Sequence, residues 1–252
     1  MTDPAGSRLF SLASLPESEG TLANHRRALY GADGSGWIVV RSAVSPTTLA
    51  QLQRTWAAPP SASFGPAVPN TEAGPGAPMF RVDGPFSQTS HVWGPWNPPV
   101  DPALRAVEWG VQLLRNRLQG RPPWFGLSDL DNGWIQTRVV RTLDGEGFVR
   151  DHADYAEAPP ATPLGQHRFD PTMLQATLLL STRDTDWTGE GFWLRPTKAG
   201  PPLPLAAPPH AQAGDLLLWR HSLVHGVGEV RTPPDGLGFL RVLLPQVIPG
   251  PR

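Results

Sequence analysis

The sequence contains no cysteine, which excludes both disulfide bonds and thiolate metal sites. An excess of charge of either sign is also lacking, because the 252 residues carry a formal net charge of −1 and include no long run of like charges. This balance gives no electrostatic reason to expect nucleic acid or an anionic membrane as a partner. No apolar stretch is long enough to cross a bilayer.

The beginning of the sequence, MTDPAGSRLFSLASLPESEG, lacks the basic start and apolar core of a secretory signal. We therefore expect a soluble, cytoplasmic protein, whose oligomeric state the sequence leaves open. Proline (31) and glycine (26) are abundant but are interleaved with ten tryptophans, which a disordered chain would not carry. This composition predicts short strands joined by long loops. No repeat or linker divides the chain, so we expect a single domain over residues 1–252, loosely ordered over residues 1–16.

Helical patterns dominate the first half, and residues 17–120 are expected to supply helical support and a long loop. The clearest helix lies in DPALRAVEWGVQLLRNRLQG, with Asp101 as N-cap, Pro102 at the first position and Gly120 at the end. A second helix is predicted to begin at Ser45 and Pro46, after the strand GWIVVRSAV, and ESEGTLANHRRALY favours a third. Residues 58–100 are rich in proline and glycine and are a candidate lid, although the sequence does not say whether they close over a site.

The second half of the chain has the pattern of strands. Apolar and β-branched stretches alternate with turn-rich segments in GWIQTRVVRTL, GFVRDH, MLQATLLLST, EGFWLRP, DLLLWR, HGVGEV and LGFLRVLLPQV. The change of pattern predicts a mainly β protein with flanking helices (α+β), in which residues 133–247 form a β-sandwich or barrel core.

Candidate metal ligands lie at the end of one of these strands. His152 and Asp154 are two positions apart, so both side chains can reach one ion from an extended chain. A third ligand must come from elsewhere, and His225 is favoured because it begins a strand ten residues after the turn residue Asp215. His221 is the rival and is expected to lie in a turn.

This arrangement resembles the Fe(II)/2-oxoglutarate-dependent oxygenases. That family's pattern is His-x-Asp, a Gly-Asp turn, a distal His followed by a small residue and Val, and an Arg on the last core strand. The matching residues here are His152-Ala153-Asp154, Gly214-Asp215, His225-Gly226-Val227 and Arg241. The resemblance covers about residues 133–247 and implies a double-stranded β-helix, the jelly-roll barrel of cupins.

The resemblance also implies cofactors and a site. A triad of His152, Asp154 and His225 would hold Fe(II) with coordination positions open for 2-oxoglutarate and O2. Oxidation of the substrate would be coupled to conversion of 2-oxoglutarate to succinate and CO2. Arg241 would bind the far carboxylate of 2-oxoglutarate. Its rival is Arg231, which lies closer to His225 in the sequence but in a stretch, VRTPPDG, that is typical of a turn.

Other residues are candidates for the pocket. Gln136 and Arg138 alternate on the strand before the triad, with Trp134 on the same face, and either line the cosubstrate or substrate pocket or form an outward polar face. Trp193 belongs to the pocket wall or to the core. Further candidate substrate contacts from loops are Arg81, His91, Trp93 and Arg150.

The predicted function is oxidation of a small molecule, with an amino acid, an amino-acid derivative or a specialised metabolite as substrate. Related halogenases replace the carboxylate ligand with a small residue, so Asp154 favours hydroxylation, although desaturation and ring chemistry are equally consistent. The alternative is a cupin-like metal-binding or structural domain without turnover. A metal hydrolase is a third possibility, but no second acidic cluster stands out as its general base.

Overall fold

The computed structural model describes residues 19–57, 79–81, 91–93, 101–126, 134–135, 137–143, 149–154, 172–197, 200–244 and 246–247. For residues 79–81, 91–93, 134–135 and 246–247 only the backbone is described. The expected loose order of residues 1–16 and most of the candidate lid at 58–100 lie outside the described residues.

Three helices form where the sequence predicts them, α1 (Glu19–Tyr30), α2 (Pro46–Ala57) and α3 (Pro102–Gln119). The Asp101 carboxylate accepts a hydrogen bond from the backbone N–H of Leu104 at 2.7 Å, and Gly120 ends α3 with a φ of 67°. No helix in the described ranges is both long and apolar enough to cross a membrane.

Fourteen short strands make up the rest of the secondary structure in the described ranges. They are β1 (Trp37–Val40), β2 (Met79–Arg81), β3 (His91–Trp93), β4 (Trp134–Ile135), β5 (Arg138–Thr142), β6 (Val149–His152), β7 (Leu174–Leu179), β8 (Thr188–Gly189), β9 (Phe192–Leu194), β10 (Leu216–Arg220), β11 (His225–Val227), β12 (Val230–Arg231), β13 (Phe239–Leu243) and β14 (Gln246–Val247).

The strands pair in antiparallel fashion into four sheets. The largest has seven strands in the order β1-β10-β7-β13-β5-β3-β2, and a three-stranded sheet has the order β6-β11-β9. The pairs β12-β8 and β14-β4 form two small ribbons. The prediction of a mainly β protein with flanking helices is therefore confirmed.

The described strands do not close into a barrel, so the jelly-roll barrel that the resemblance implies is not confirmed. The seven-stranded and three-stranded sheets share no ladder of hydrogen bonds and meet instead through their side chains. The ring of Phe192 on β9 lies 4.8 Å from that of Trp219 on β10, so the two sheets pack face to face at this point. The strand pattern and apolar content of the sequence are compatible with a closed barrel and with two packed sheets. Only the hydrogen-bonded pairing of the strands distinguishes these two arrangements.

The two faces of the seven-stranded sheet bury different partners because side chains alternate along each strand. One face, which we call the helix side, packs against α1, α2 and α3 through residues such as Ile38, Leu178, Leu218, Leu240 and Val242. The opposite face, which we call the inner side, packs against the three-stranded sheet through residues that include Leu179, Leu217, Trp219 and Phe239. The site described next lies on the inner side.

Candidate metal centre

Three side chains converge between β6 and β11. His152 ends β6 and is the direct cross-strand partner of His225, which begins β11, and Asp154 follows two residues after His152. One potential ligand atom from each residue lies within 4.8 Å of the others. The Asp154 carboxylate is 3.8 Å from Nε2 of His152 and 3.5 Å from Nε2 of His225. The structure therefore brings together the three residues that the sequence pattern selects.

Backbone carbonyls orient both imidazole rings. Nδ1 of His152 lies 2.8 Å from the carbonyl oxygen of Arg150, and Nδ1 of His225 lies 2.9 Å from that of Leu223. A carbonyl oxygen only accepts hydrogen bonds, so Nδ1 carries the proton in each neutral ring. Nε2 then presents its lone pair towards Asp154, which is the arrangement that a metal-binding histidine requires.

The environment of the triad is buried on one side and open on the other. His225 is 6% exposed, and its ring centroid is 5.3 Å from that of Trp219 and 5.8 Å from that of Phe192. Burial lowers the pKa of His225, which keeps its ring neutral. The His152 side chain is 39% exposed and that of Asp154 is 20% exposed. Two imidazoles and one carboxylate with an accessible side are a donor set that fits Fe(II) with open coordination positions.

Arg241 lies on the inner side of the seven-stranded sheet, where β13 runs between β5 and β7. It is 6% exposed, and its guanidinium carbon is 4.4 Å from the centre of the Phe239 ring. Burial lowers its pKa to about 10, so it remains positively charged at neutral pH. Its Nη1 has no hydrogen-bond partner among the described residues, which leaves a buried donor for an anion.

Arg231 has a different environment from its rival. Its side chain is 71% exposed, and its Nε donates a hydrogen bond to the Glu229 carboxylate at 3.2 Å. The prediction that Arg231 lies in a turn is wrong, because it belongs to β12, which pairs with β8. The turn follows it at residues 234–235. A cation in this exposed position needs no buried anion.

Other predicted pocket residues are only partly accounted for. Arg138 lies opposite Leu243 in the sheet, on the inner side, and burial lowers its pKa to about 10. Arg150 is exposed on β6. Gln136 lies outside the described residues, as do the side chains of Trp134, Arg81, His91 and Trp93.

Trp193 does not face the metal ligands. Phe192 and Leu194 share the inner side of β9 with His225, whereas Trp193 points to the opposite face of the three-stranded sheet. There its ring covers Gly226, where an added Cβ would come within 2.6 Å of the indole. Trp193 is therefore neither part of the inner core nor a wall of the triad's pocket.

His221 and Asp215 have structural positions. His221 lies in the turn after β10, as expected. The Asp215 carboxylate is 2% exposed and accepts hydrogen bonds from Nη1 of Arg41 at 2.8 Å, from N–H of Ser42 at 2.8 Å and from N–H of Gln212 at 3.1 Å. It fixes the end of β1 against the start of β10 and does not reach the metal ligands.

Two inner-side residues were missed by the sequence reasoning. Gln175 on β7 and Trp219 on β10 are direct cross-strand partners, and both are buried. The available signal was a glutamine inside the otherwise apolar strand LQATLL, because a buried polar side chain in such a position calls for a partner.

Solved structures of known proteins share this fold, although no protein-family model and no curated protein sequence matches the chain. A prolyl-4-hydroxylase from Pseudomonas putida superposes with a TM-score of 0.55, covering 91% of this chain and 100% of the other at 15% identity. A Trichoplax adhaerens prolyl hydroxylase, in complex with a peptide fragment of hypoxia inducible factor, gives 0.54 over 92% and 94% of the two chains at 13% identity. The epimerase SnoN, in complex with Fe3+, alpha ketoglutarate and nogalamycin RO, gives 0.54 over 91% and 84% at 11% identity.

These matches define the fold. Over 91–92% of its length the chain shares the fold of these solved structures, which agrees with the resemblance seen in the sequence. The donor set of the triad fits the predicted Fe(II). At 11–15% identity the comparison carries no information on substrate or on the reaction catalysed.

Proposed function

We propose that this protein is an Fe(II)- and 2-oxoglutarate-dependent oxygenase that hydroxylates a small molecule. The observation that carries the proposal is the combination of a His-Asp-His cluster with a buried arginine on the facing sheet. The cluster alone would support any metal protein. The arginine adds a site for an anion, which a cosubstrate with a free carboxylate supplies.

His152, Asp154 and His225 would hold Fe(II). When bound, the ion and 2-oxoglutarate together supply the oxidising power for substrate hydroxylation, with O2 as oxidant and succinate and CO2 as products. The residues themselves position the ion and keep its open side accessible, because His152 and Asp154 remain partly exposed while His225 is enclosed by aromatic rings.

Arg241 would bind the distal carboxylate of 2-oxoglutarate. The positions along β7 relate Arg241 to the triad. Trp219, whose ring packs against His225, lies opposite Gln175 on β7. Arg241 lies opposite Leu179, four residues further along β7. Four residues of a strand span about 13 Å, a distance that an extended dicarboxylate and an arginine side chain can bridge together. A ferrous ion, Asp154 and Arg241 would together carry two positive charges in excess, which matches the dianionic cosubstrate.

The substrate assignment rests on several supports. Asp154 is present as a ligand, which favours hydroxylation over halogenation, and an amino acid, its derivative or a specialised metabolite is the proposed substrate class. Arg138 on the inner side and, from the sequence, Gln136 are proposed to line the pocket. The two face-to-face sheets are proposed to be the two halves of a double-stranded β-helix.

The test is succinate formation by purified protein under air with Fe(II), ascorbate and 2-oxoglutarate. We expect iron-dependent succinate in the wild type, with stimulation by one member of a panel of amino acids and derivatives. His152→Ala should abolish it, Arg241→Ala should reduce it strongly, and Arg231→Ala, the matched control, should leave it unchanged. Absence of both succinate formation and 2-oxoglutarate binding in the wild type would contradict the proposal.

The alternative is a cupin-like metal-binding domain without turnover. It is favoured if the protein binds a divalent ion at the triad but does not bind 2-oxoglutarate, and if Arg241→Ala changes neither property. The buried, unpartnered Nη1 of Arg241 favours the oxygenase over this alternative, because it offers a donor to an anionic cosubstrate.

A further inference from the structure

Gln175 and Trp219 form a pair of buried polar side chains that the proposed chemistry does not use. They are direct cross-strand partners on the inner side of β7 and β10. Gln175 is 7% exposed and Trp219 is 1% exposed. Oε1 of Gln175 and Nε1 of Trp219 each lack a hydrogen-bond partner among the described residues. The pair therefore presents one free acceptor and one free donor.

The pair lies beside the metal centre. The Trp219 ring is 5.3 Å from the ring of His225 in a near edge-on arrangement, and it also packs against Phe192 at 4.8 Å. Because residues paired across antiparallel strands point to the same face with Cβ atoms about 5 Å apart, Gln175 lies on the same side of the sheet as Trp219. A molecule bound next to His225 would lie on the side of the sheet that carries both.

The two atoms do not bond to each other, although a donor and an acceptor on paired positions could do so. Burying each of them without a partner is unfavourable, and such groups in folded proteins are normally satisfied. 2-Oxoglutarate cannot satisfy both, because at neutral pH its two carboxylates and keto oxygen only accept hydrogen bonds. The Gln175 carbonyl requires a donor, which neither the described residues nor 2-oxoglutarate supplies.

We infer that Gln175 and Trp219 recognise a substrate group that accepts a hydrogen bond from the indole N–H and donates one to the glutamine carbonyl, as a neutral amide does. This inference rests on the proposed function, since it places the substrate beside the metal. An amide carries a C=O and an N–H in one plane, so it matches the donor and acceptor that two adjacent strands present. The substrate class is thus narrowed to small molecules that carry an amide near the oxidised position.

The first test needs no ligand and compares two buried glutamines. Gln112 on α3 donates hydrogen bonds from Nε2 to Asn116 at 2.9 Å and to the Phe125 carbonyl at 3.1 Å, whereas Oε1 of Gln175 has no partner. Gln→Met keeps the length of the side chain and removes its polar atoms. We expect Gln175→Met to raise the Tm by about 2–4 °C and Gln112→Met to lower it by at least as much. If Gln175→Met lowers the Tm like Gln112→Met, the carbonyl is satisfied in the free protein, for example by a bound water, and the inference is wrong.

The second test uses matched probes. The probes are α-amino acid amides and the methyl esters of the same amino acids. The amide has an N–H that can donate a hydrogen bond to the Gln175 carbonyl, and the ester has none. Titration calorimetry with the zinc-loaded protein should show, for at least one side chain, an amide that binds at least about tenfold more tightly than its ester. Gln175→Met should remove this preference. Trp219→Phe should weaken binding of the amide and the ester alike, because both carry the carbonyl that the indole N–H would reach.

The control variant is Trp187→Phe. Trp187 is also fully buried with an unpartnered Nε1, but its ring packs against Phe239 at 4.7 Å and not against His225. It should retain the preference for the amide. Equal binding of amides and esters, no binding of either, or a preference that survives Gln175→Met would overturn the inference. Iron-dependent succinate formation without added substrate tests the proposed function separately. A failure of amide recognition by Gln175 and Trp219 can therefore be distinguished from an absence of oxygenase activity.

Discussion

The two faces of the seven-stranded sheet differ in the hydrogen bonding of their long buried polar side chains. On the helix side, polar residues of α3 are almost fully buried and find partners within the chain. Gln112 and Asn116 bond to each other and to carbonyls of the segment after α3, Arg115 donates to the Leu244 carbonyl, and Glu108 accepts from the Thr137 hydroxyl.

The inner side has polar groups of similar burial without such partners. Gln175, Trp219 and Arg241 each have a buried polar atom that is unsatisfied by the described residues. Both faces belong to one sheet, yet these three inner-side residues each leave a buried atom available to a ligand, whereas the bonded polar side chains of α3 hold the fold together.

The largest expected effect is loss of metal binding in the triad. In the wild type, Zn(II) at about one hundred times its Kd should stabilise the protein by about 2.7 kcal/mol, which appears as a rise in Tm. His152→Ala should abolish this rise while leaving the metal-free Tm nearly unchanged, because the side chain is 39% exposed. His210→Ala, at a histidine away from the triad, should retain it. A rise that persists in His152→Ala would place the metal elsewhere.

Two buried arginines provide the sharpest comparison of the two faces. Arg241→Met on the inner side should weaken 2-oxoglutarate binding about 100-fold and change the free energy of unfolding by less than about 1 kcal/mol, because the lost cation has no bonded partner for Nη1. Arg115→Met should have the reverse effect, destabilising by about 3 kcal/mol with binding intact. Calorimetric titration and denaturant unfolding of both variants measure the two quantities. Equal loss of stability in both variants would remove the distinction between the faces.

Glu108 gives the helix side a pH dependence. Burial raises the pKa of Glu108 to about 7 from an ordinary value near 4.5, against the opposing effects of Thr137, Arg105 and Arg115. The folded state therefore holds a proton that the unfolded state has released, and stability is lost as pH rises from about 4.5 to about 7. The loss amounts to about 3 kcal/mol.

Glu108→Gln should remove this loss, because glutamine can still accept from the Thr137 hydroxyl. We expect a higher Tm than the wild type at pH 8 and little difference at pH 4.5, measured by thermal unfolding across this range. The affinity for 2-oxoglutarate should be unaffected at both pH values. A wild-type Tm that does not fall between pH 4.5 and 7 would contradict the assignment.

The smallest effect is expected at the cap of α3. Asp101→Ala removes the acceptor for the Leu104 N–H and should cost about 1 kcal/mol of stability. Metal and cosubstrate binding should be unchanged, since the cap lies on the helix side. Asp101→Asn, which keeps an acceptor, should recover most of the stability. Altered metal binding in Asp101→Ala would show that the two faces are coupled.

Local patterns in the sequence are sufficient for much of the fold. The caps of α3 and the apolar stripe Leu104, Val107, Val111, Leu114 and Leu118 predict a helix, and all five stripe residues are buried. The triad was also predictable, because its spacing within a strand and its order along the chain are both visible in the sequence.

Contacts between distant segments were not predictable in this way. The same helix also buries Gln112 and Asn116, because the segment at 122–126 folds back and its carbonyls accept hydrogen bonds from both side chains. Periodicity marks apolar positions but does not show which polar positions another segment will cover. The same limit applies to Gln175 and Trp219, whose pairing depends on the register of β7 and β10, and to the separation of the strands into two sheets.

The positions of the three metal ligands have a consequence for the topology of the chain. His152 and His225 are 73 residues apart in the sequence (225 − 152) but directly opposite each other in the sheet. An ion held by both would close a loop of that length in the folded chain, and its binding free energy would add to the stability of the fold, because the separated ligands of the unfolded chain bind it far more weakly. A sequence without cysteine would thereby gain a cross-link between distant segments that a chelator removes.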